Sequence, residues 1–167
     1  MKTLAAFALI ITTTFGAAPC LALDLPSQDV VLTISGPLDH PNVGATAQFD
    51  MPMLEALASR SATMETPWTE GKVTFSGPLL SAVLDAAGAH GKTVTVRALN
   101  DYSADLPMED ATEIKTILAT RMDGKLMSVR DKGPLFLVYP FDLQPEIYNE
   151  KYFGRSVWQI KEIVITP

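Results

Sequence analysis

KVTFSGPLLSAVLDAAG, residues 72–88, holds two periodicities on either side of one Gly-Pro pair. Lys72 to Phe75 alternates polar and apolar residues, the spacing of a strand with one face buried. After Gly77-Pro78 the apolar residues Leu79, Leu80, Val83, Leu84 and Ala87 recur at helical spacing. Gly88 then stands where helices commonly end in a left-handed residue. A strand running straight into a short helix points to an α+β domain, and the flanking segments extend that reading.

Upstream, DVVLTIS (29–35) is a strand candidate ended by Gly36-Pro37, and TAQFD (46–50) is a shorter alternating run. Asp50 or Met51 can cap a helix over MPMLEALAS, with Pro52 in its first turn and Leu54, Leu57 and Ala58 on one face. Downstream, TVTVRAL (93–99) alternates cleanly, with Val94, Val96 and Ala98 on one side. Pro107 starts a short acidic segment, and Thr116 to Arg121 reads as a buried strand. Asp123-Gly124-Lys125 is a hairpin turn of the Asp-Gly kind. LFLVYP is apolar enough to need cover on both faces. SVWQIKEIVI is the last strand, with Val157, Gln159, Lys161 and Ile163 alternating against Trp158, Ile160, Glu162 and Val164. The expected fold is a single α+β domain, a mixed sheet with short helices.

The first 22 residues stand apart. MKTLAAFALIITTTFGAAPCLA has one positive charge at Lys2, an apolar run from Leu4 to Ile11 and small residues up to Ala22. That is the layout of a cleaved secretory signal peptide (1–22), its apolar run too short for a membrane span. The expected folded domain covers 23–167 and the expected location is the periplasm. Without Lys2, the 13 Lys and Arg fall by one against 19 Asp and Glu, so the charge moves from −6 to −7. An acidic chain without a basic cluster excludes nucleic acid and anionic membrane as natural partners.

Cys20 is the only cysteine and falls within the leader. The remainder has neither a disulfide nor a thiolate to act as nucleophile or soft metal ligand. His40 and His90 lie in turn-like contexts, LDHPN and GAHGK, without a second ligand at metal-site spacing. No Ser-His-Asp arrangement and no glycine-rich phosphate loop is present. Glu109-Asp110 reads as a solvated helix start. What remains is a set of polar and aromatic groups at strand ends: Trp68, Asn100-Asp101-Tyr102, Arg121, Arg130, Tyr139 and Trp158. An amide beside a carboxylate suits the edge of a flat heterocycle, and an aromatic ring suits its face. An Asn-Asp pair also makes an Asx turn unaided, and both readings stand at this level.

PWTEGKVTFSGPLLSAVLDAAG, ALNDYSADLPMEDA, ILATRMDGKLMSVRDKGPLFLVYP and SVWQIKEIVI resemble, in that order, the oxidoreductase molybdopterin-binding domain of sulfite-oxidase type. The resemblance covers about residues 30 to 166. It departs from the enzymes at the DGY turn, which is NDY here (Asn100 to Tyr102), in its minimal length without haem or dimerisation domains, and at one metal-ligating position. The enzymes carry a molybdenum-ligating cysteine shortly before the tryptophan element, whereas the corresponding stretch here is ASRSATMETPW. Ser61, Thr63 and Met64 are harder or neutral ligands that do not imitate a thiolate. The variant set TPW, F-x-GPLL, ALNDY, RDKGPL and YP is similar to a small branch of the family. Its members are periplasmic pterin-binding proteins without the cysteine, acting with a membrane-bound cyclic-di-GMP enzyme.

The resemblance implies a reduced pterin as ligand, no metal site, no catalytic residue and a membrane receptor's periplasmic domain as partner. It implies Trp68 and Phe75 against the bicyclic ring, and Asn100 and Asp101 on its aminopyrimidinone edge. Tyr102 and Tyr139 would close the side, Arg121 or Arg130 would meet the carbonyl oxygen, and Arg155 would lie toward the region where the enzymes hold a phosphate. The polar loop FDLQPEIYNEKYFGR (141–155) is the candidate partner surface. A molybdopterin-dependent oxidoreductase with atypical metal ligation, and a non-catalytic interaction domain, are the alternatives.

Overall fold

A computed structural model describes residues 23–167; the leader expected over 1–22, with Cys20, lies outside the described residues. The chain is α+β, as its periodicities require, and among the described residues the strands divide into three small sheets. The largest contains β1 (Val30–Ser35), β2 (Ala47–Asp50), β5 (Thr93–Ala98), β6 (Ser103–Pro107) and β11 (Ile160–Thr166), in the order β2-β1-β11-β5-β6. β1 and β11 run parallel and the other pairs antiparallel, so this sheet is mixed. A second sheet orders β3 (Ser59–Glu65), β4 (Lys72–Pro78), β8 (Arg121–Met122) and β9 (Lys125–Leu126). β7 (Ile117–Ala119) and β10 (Phe136–Val138) form the third. Among the described residues no helix is long and apolar enough to cross a membrane.

The opening stretch folds as its two periods dictate. β4 pairs with β3 through seven positions, and helix α2 (Leu80–Ala87) follows with Leu80, Val83, Leu84 and Ala87 buried. Gly88 closes α2 at φ 61°, a conformation its missing Cβ permits. Strand β4 extends to Pro78 because Gly77 crosses β7 at close range. A Cβ there would stand 2.8 Å from the Thr120 nitrogen and closer still to the Leu118 carbonyl. Asp50 caps α1 (Met51–Glu55), accepting from the Met53 N–H at 2.9 Å. That helix ends before Leu57 and Ala58, because the Ala58 carbonyl accepts from Leu79 N–H and draws the chain into β3.

Three other elements differ from expectation. β3, a strand not singled out by the periodicities, buries only Ala62 and Met64, so its alternation is carried by small and polar residues. The strand expected over 116–121 breaks at Thr120, whose N–H goes to the Ser76 carbonyl as the chain changes partner from β10 to β4. In β11 the pairing with β5 slips between Ile160 and Glu162. The slip is a bulge, so Ile160 and Ile163 both face inward, and the strict alternation expected there fails. Leu135 to Tyr139 is fully buried, as its composition demands.

Candidate functional site

Trp68 sits on the loop between β3 and β4, half-buried and held by edge-to-face contacts. Its ring centroid lies 5.6 Å from Phe136, 5.9 Å from Phe153 and 5.8 Å from Trp158. Each such pair is worth about 0.5–1.5 kcal/mol beyond its buried area, so the indole is fixed in orientation. Phe153 comes from α4 (Glu150–Arg155), which Asn149 caps through the Lys151 N–H. Trp158 is delivered by the segment before β11, where it bridges to Phe136. The long 141–155 connection is thus largely structured: a 3-10 turn over Pro145–Ile147, then α4.

Trp68, Phe153 and Trp158 line a cleft of about 350 Å³, with Phe136 buried behind them. The turn between β5 and β6 adds Asn100 and Tyr102 to the lining, α4 adds Glu150 and Gly154, and Ala98, Ser156 and Val157 complete it. Asn100 fulfils both readings made for it. Its Oδ1 accepts from the Tyr102 N–H at 3.2 Å, which is the Asx turn, and the residue also lines the cleft. Its side-chain NH2 has no hydrogen-bond partner among the described residues. The Tyr102 hydroxyl donates to the Gly154 carbonyl at 2.9 Å, tying the turn to α4 across the cleft.

The other expected ligand residues are placed differently. Asp101 adopts φ 65° and turns outward, its carboxylate 90% exposed and 3.0 Å from Lys161 Nζ. The carboxylate-bearing residue that lines the cleft is Glu150 instead, which the sequence offered only as one acid in a polar loop. Phe75 is fully buried behind Phe136, at 5.7 Å between centroids, and lines no cleft described. Arg121 lies in a separate groove, where its Nε and Nη2 grip Glu55 at 2.7 and 3.1 Å. That hydrogen bond holds the Glu55 carboxyl below its ordinary pKa and raises that of Arg121. Arg130 lines a second cleft that shares Trp68 and Trp158 with the first.

Tyr139 and Arg155 meet at a residue read as solvated. Asp110 is 6% exposed, and its Oδ2 accepts from the Tyr139 hydroxyl at 3.0 Å and from Arg155 Nη1 at 2.6 Å. Burial, then the neighbouring Asp110 charge and the bond to it, push the Tyr139 phenol far above its ordinary range. The phenol stays neutral and donates. This trio is committed internally, fastening α4 to α3 (Met108–Thr112) behind the cleft wall.

The stretch where the enzymes place their cysteine is β3. Ser61 and Thr63 lie on its exposed face, where Thr63 bonds Thr74 at 2.8 Å, while Met64 is packed in the core. No group of three His, Cys, Asp or Glu that could hold a metal ion occurs among the described residues. His90 is a surface turn residue, its ring 3.1 Å from the Gly88 carbonyl. A family model described as oxidoreductase molybdopterin binding domain matches residues 31–166. No curated protein matches the chain.

Proposed function

We propose, for a chain that belongs to the oxidoreductase molybdopterin-binding domain family, that the cleft holds a pterin without its molybdenum and that occupancy is read by a partner. The observation that carries this is the pairing of an aromatic wall, Trp68 and Trp158, with Asn100 and Glu150 around a space of about 350 Å³. That size lies within the ordinary range for small-molecule sites. An aminopyrimidinone presents N–H donors and a carbonyl along one edge. Glu150 supplies a carboxylate acceptor and the Asn100 NH2 a donor. Glu150 takes the role that the resemblance assigned to Asp101.

The metal half of the family's cofactor does not fit this donor set. A soft thiolate is the ligand the chemistry requires, and β3 offers hydroxyls pointing outward and a thioether sealed in the core.

In this reading the protein is exported to the periplasm by its leader and regulates a membrane-bound cyclic-di-GMP enzyme through that enzyme's periplasmic domain. The support is the leader-like pattern of residues 1–22 and the cysteine-free motif set. Regulation requires the partner to bind the occupied and empty forms with different affinity. α4 is the element placed to convey that difference. Glu150 and Phe153 line the cleft, while Lys151 on the same helix is exposed.

Site variants test the reading. Asn100→Ala and Glu150→Gln should each weaken tetrahydrobiopterin binding roughly ten- to hundredfold, the value of a buried or charge-assisted hydrogen bond. Their circular dichroism and urea midpoints should stay near those of the parent. Unchanged affinity in both variants would place the ligand elsewhere.

A further inference from the structure

Strand β3 is the longest edge strand among the described residues. Its seven residues end the order β3-β4-β8-β9, against five in β6, four in β2 and two in β9. Which of its backbone groups are spare follows from β4. The Thr74 carbonyl accepts from the Asp123 N–H at 2.8 Å, and its N–H donates to Asp123 Oδ1 at 2.9 Å. The Ser76 carbonyl accepts from the Thr120 N–H at 3.0 Å. Thr74 and Ser76 therefore turn their backbone away from β3. In an antiparallel ladder their opposite residues, Thr63 and Ser61, must do the same, so the N–H and C=O of both point off the edge. Neither backbone has a hydrogen-bond partner among the described residues, and both residues are exposed. Long edges are ordinarily blunted by a proline, a lysine or a bulge, because open ladder groups pair with other chains. β3, SRSATME, has neither proline nor lysine, and its register with β4 runs unbroken.

β3 also lines a groove of about 650 Å³, through Thr63, Met64 and Glu65, together with Phe141, Pro145 and Tyr148 of the turn after β10. Arg60 of β3 pairs with Asp142 and holds that turn to the strand. Tyr148 and Leu143 on the turn are exposed. Three acids stand at this place, Glu65, Asp142 and Glu146, against Arg60 and Lys72, in a chain of −6. A spare ladder calls for an extended backbone, an aromatic groove for apolar side chains, and an acidic rim for basic ones. A second copy of β3 would bring only Ser61, Thr63 and another Glu65, with a further −6 behind them. The occupant is therefore a different chain.

We propose that β3 and this groove dock an extended segment of a partner protein, in which apolar residues alternate with basic ones, as one more strand of the sheet. Main-chain bonds to Ser61 and Thr63 hold it, and the groove beside Phe141, Pro145 and Tyr148 takes its apolar side chains. The inference rests on the reading above, that a partner senses occupancy of the pterin cleft, and it names the surface used. The link is aromatic. Tyr148 packs on Phe153 at 4.9 Å, and Phe153, which lines the pterin cleft, packs on Trp68 at 5.9 Å. A ligand that displaces Phe153 also displaces Tyr148, so the occupied and empty forms present different grooves.

The probes are two peptides of about eight residues, one alternating lysine with valine and one alternating glutamate with valine. The lysine peptide should bind the purified protein saturably below about 1 mM and slow amide exchange at Ser61 and Thr63, read by NMR. The glutamate peptide should bind about tenfold or more weakly. Thr63→Pro removes an N–H that β4 does not use, so the fold should survive and docking should be lost. Glu65→Lys, at an exposed position, should narrow the gap between the peptides. Tetrahydrobiopterin should change the lysine peptide's affinity about fivefold or more. No binding, equal affinity for both peptides, a gap unmoved by Glu65→Lys, or protection away from β3 overturns the docking site. A dimer in sedimentation that Thr63→Pro abolishes gives the edge to a second copy and overturns it too. Quenching of Trp68 and Trp158 by tetrahydrobiopterin without any change in peptide affinity overturns the link between groove and cleft. Peptide docking without tetrahydrobiopterin binding overturns the pterin reading and leaves the docking edge standing.

Discussion

Asp110 shares one carboxylate oxygen between Tyr139 and Arg155 inside the protein. Removing either donor leaves a buried anion short of a partner, and the two losses differ in kind. Tyr139→Phe deletes a neutral donor and should cost about 1–2 kcal/mol in urea unfolding. Arg155→Met deletes the counter-charge and should cost about 3–5 kcal/mol, unless Asp110 is replaced with it. A second carboxylate contributes, beside Glu55, to the acid dependence of stability. The Met53 N–H, with Ser27 and Gln28, holds Asp50 below its ordinary pKa against the opposing effect of burial. A lowered folded-state pKa means that the unfolded chain binds more protons. Stability is then fully present above the ordinary carboxylate value of about 4 and declines as pH falls through the folded value. Urea midpoints measured between pH 7 and 3 should show this decline, and Asp50→Asn should flatten it while lowering the midpoint at pH 7. The Asp50 cap was legible in sequence because it is local. The Asp110 trio was not, because its members are far apart in the chain and acids at a helix start are ordinarily solvated.

Among elements, those with strong apolar periods were readable and those built from small residues were not. α2 and β5 announce themselves through Leu80, Val83, Leu84 and Val94, Val96. β3 hides because Ala62 and Met64 are its only buried members, and the bulge in β11 hides because no residue type marks it. The Gly-Pro pair that suggested a break proves to be a crossing point. Gly77→Ala must force β4 away from β7, where the obstacles are backbone atoms that cannot rotate aside. Thermal unfolding should register a loss of roughly 1–3 kcal/mol. Gly124→Ala, at φ 77° with open space around it, meets only the strain of its turn, and its smaller loss serves as the comparison.

At the scale of the molecule, three distant segments converge on one cleft: the β3–β4 loop, the β5–β6 turn and α4 with the approach to β11. The sequence pointed to Trp68, Asn100 and Tyr102 by residue type at strand ends. It could not show that Asp101 turns outward or that Glu150 lines the cleft, since that depends on a left-handed φ at Asp101 and on where α4 docks. The central claim is that this cleft takes a pterin. Its most direct measurement is an anaerobic titration of the purified protein with tetrahydrobiopterin and tetrahydrofolate, following the fluorescence of Trp68 and Trp158. The account predicts saturable quenching at micromolar concentration or below for at least one of the two, at one ligand per chain. Fluorescence unchanged by either compound up to millimolar concentration, with calorimetry equally silent, would contradict it.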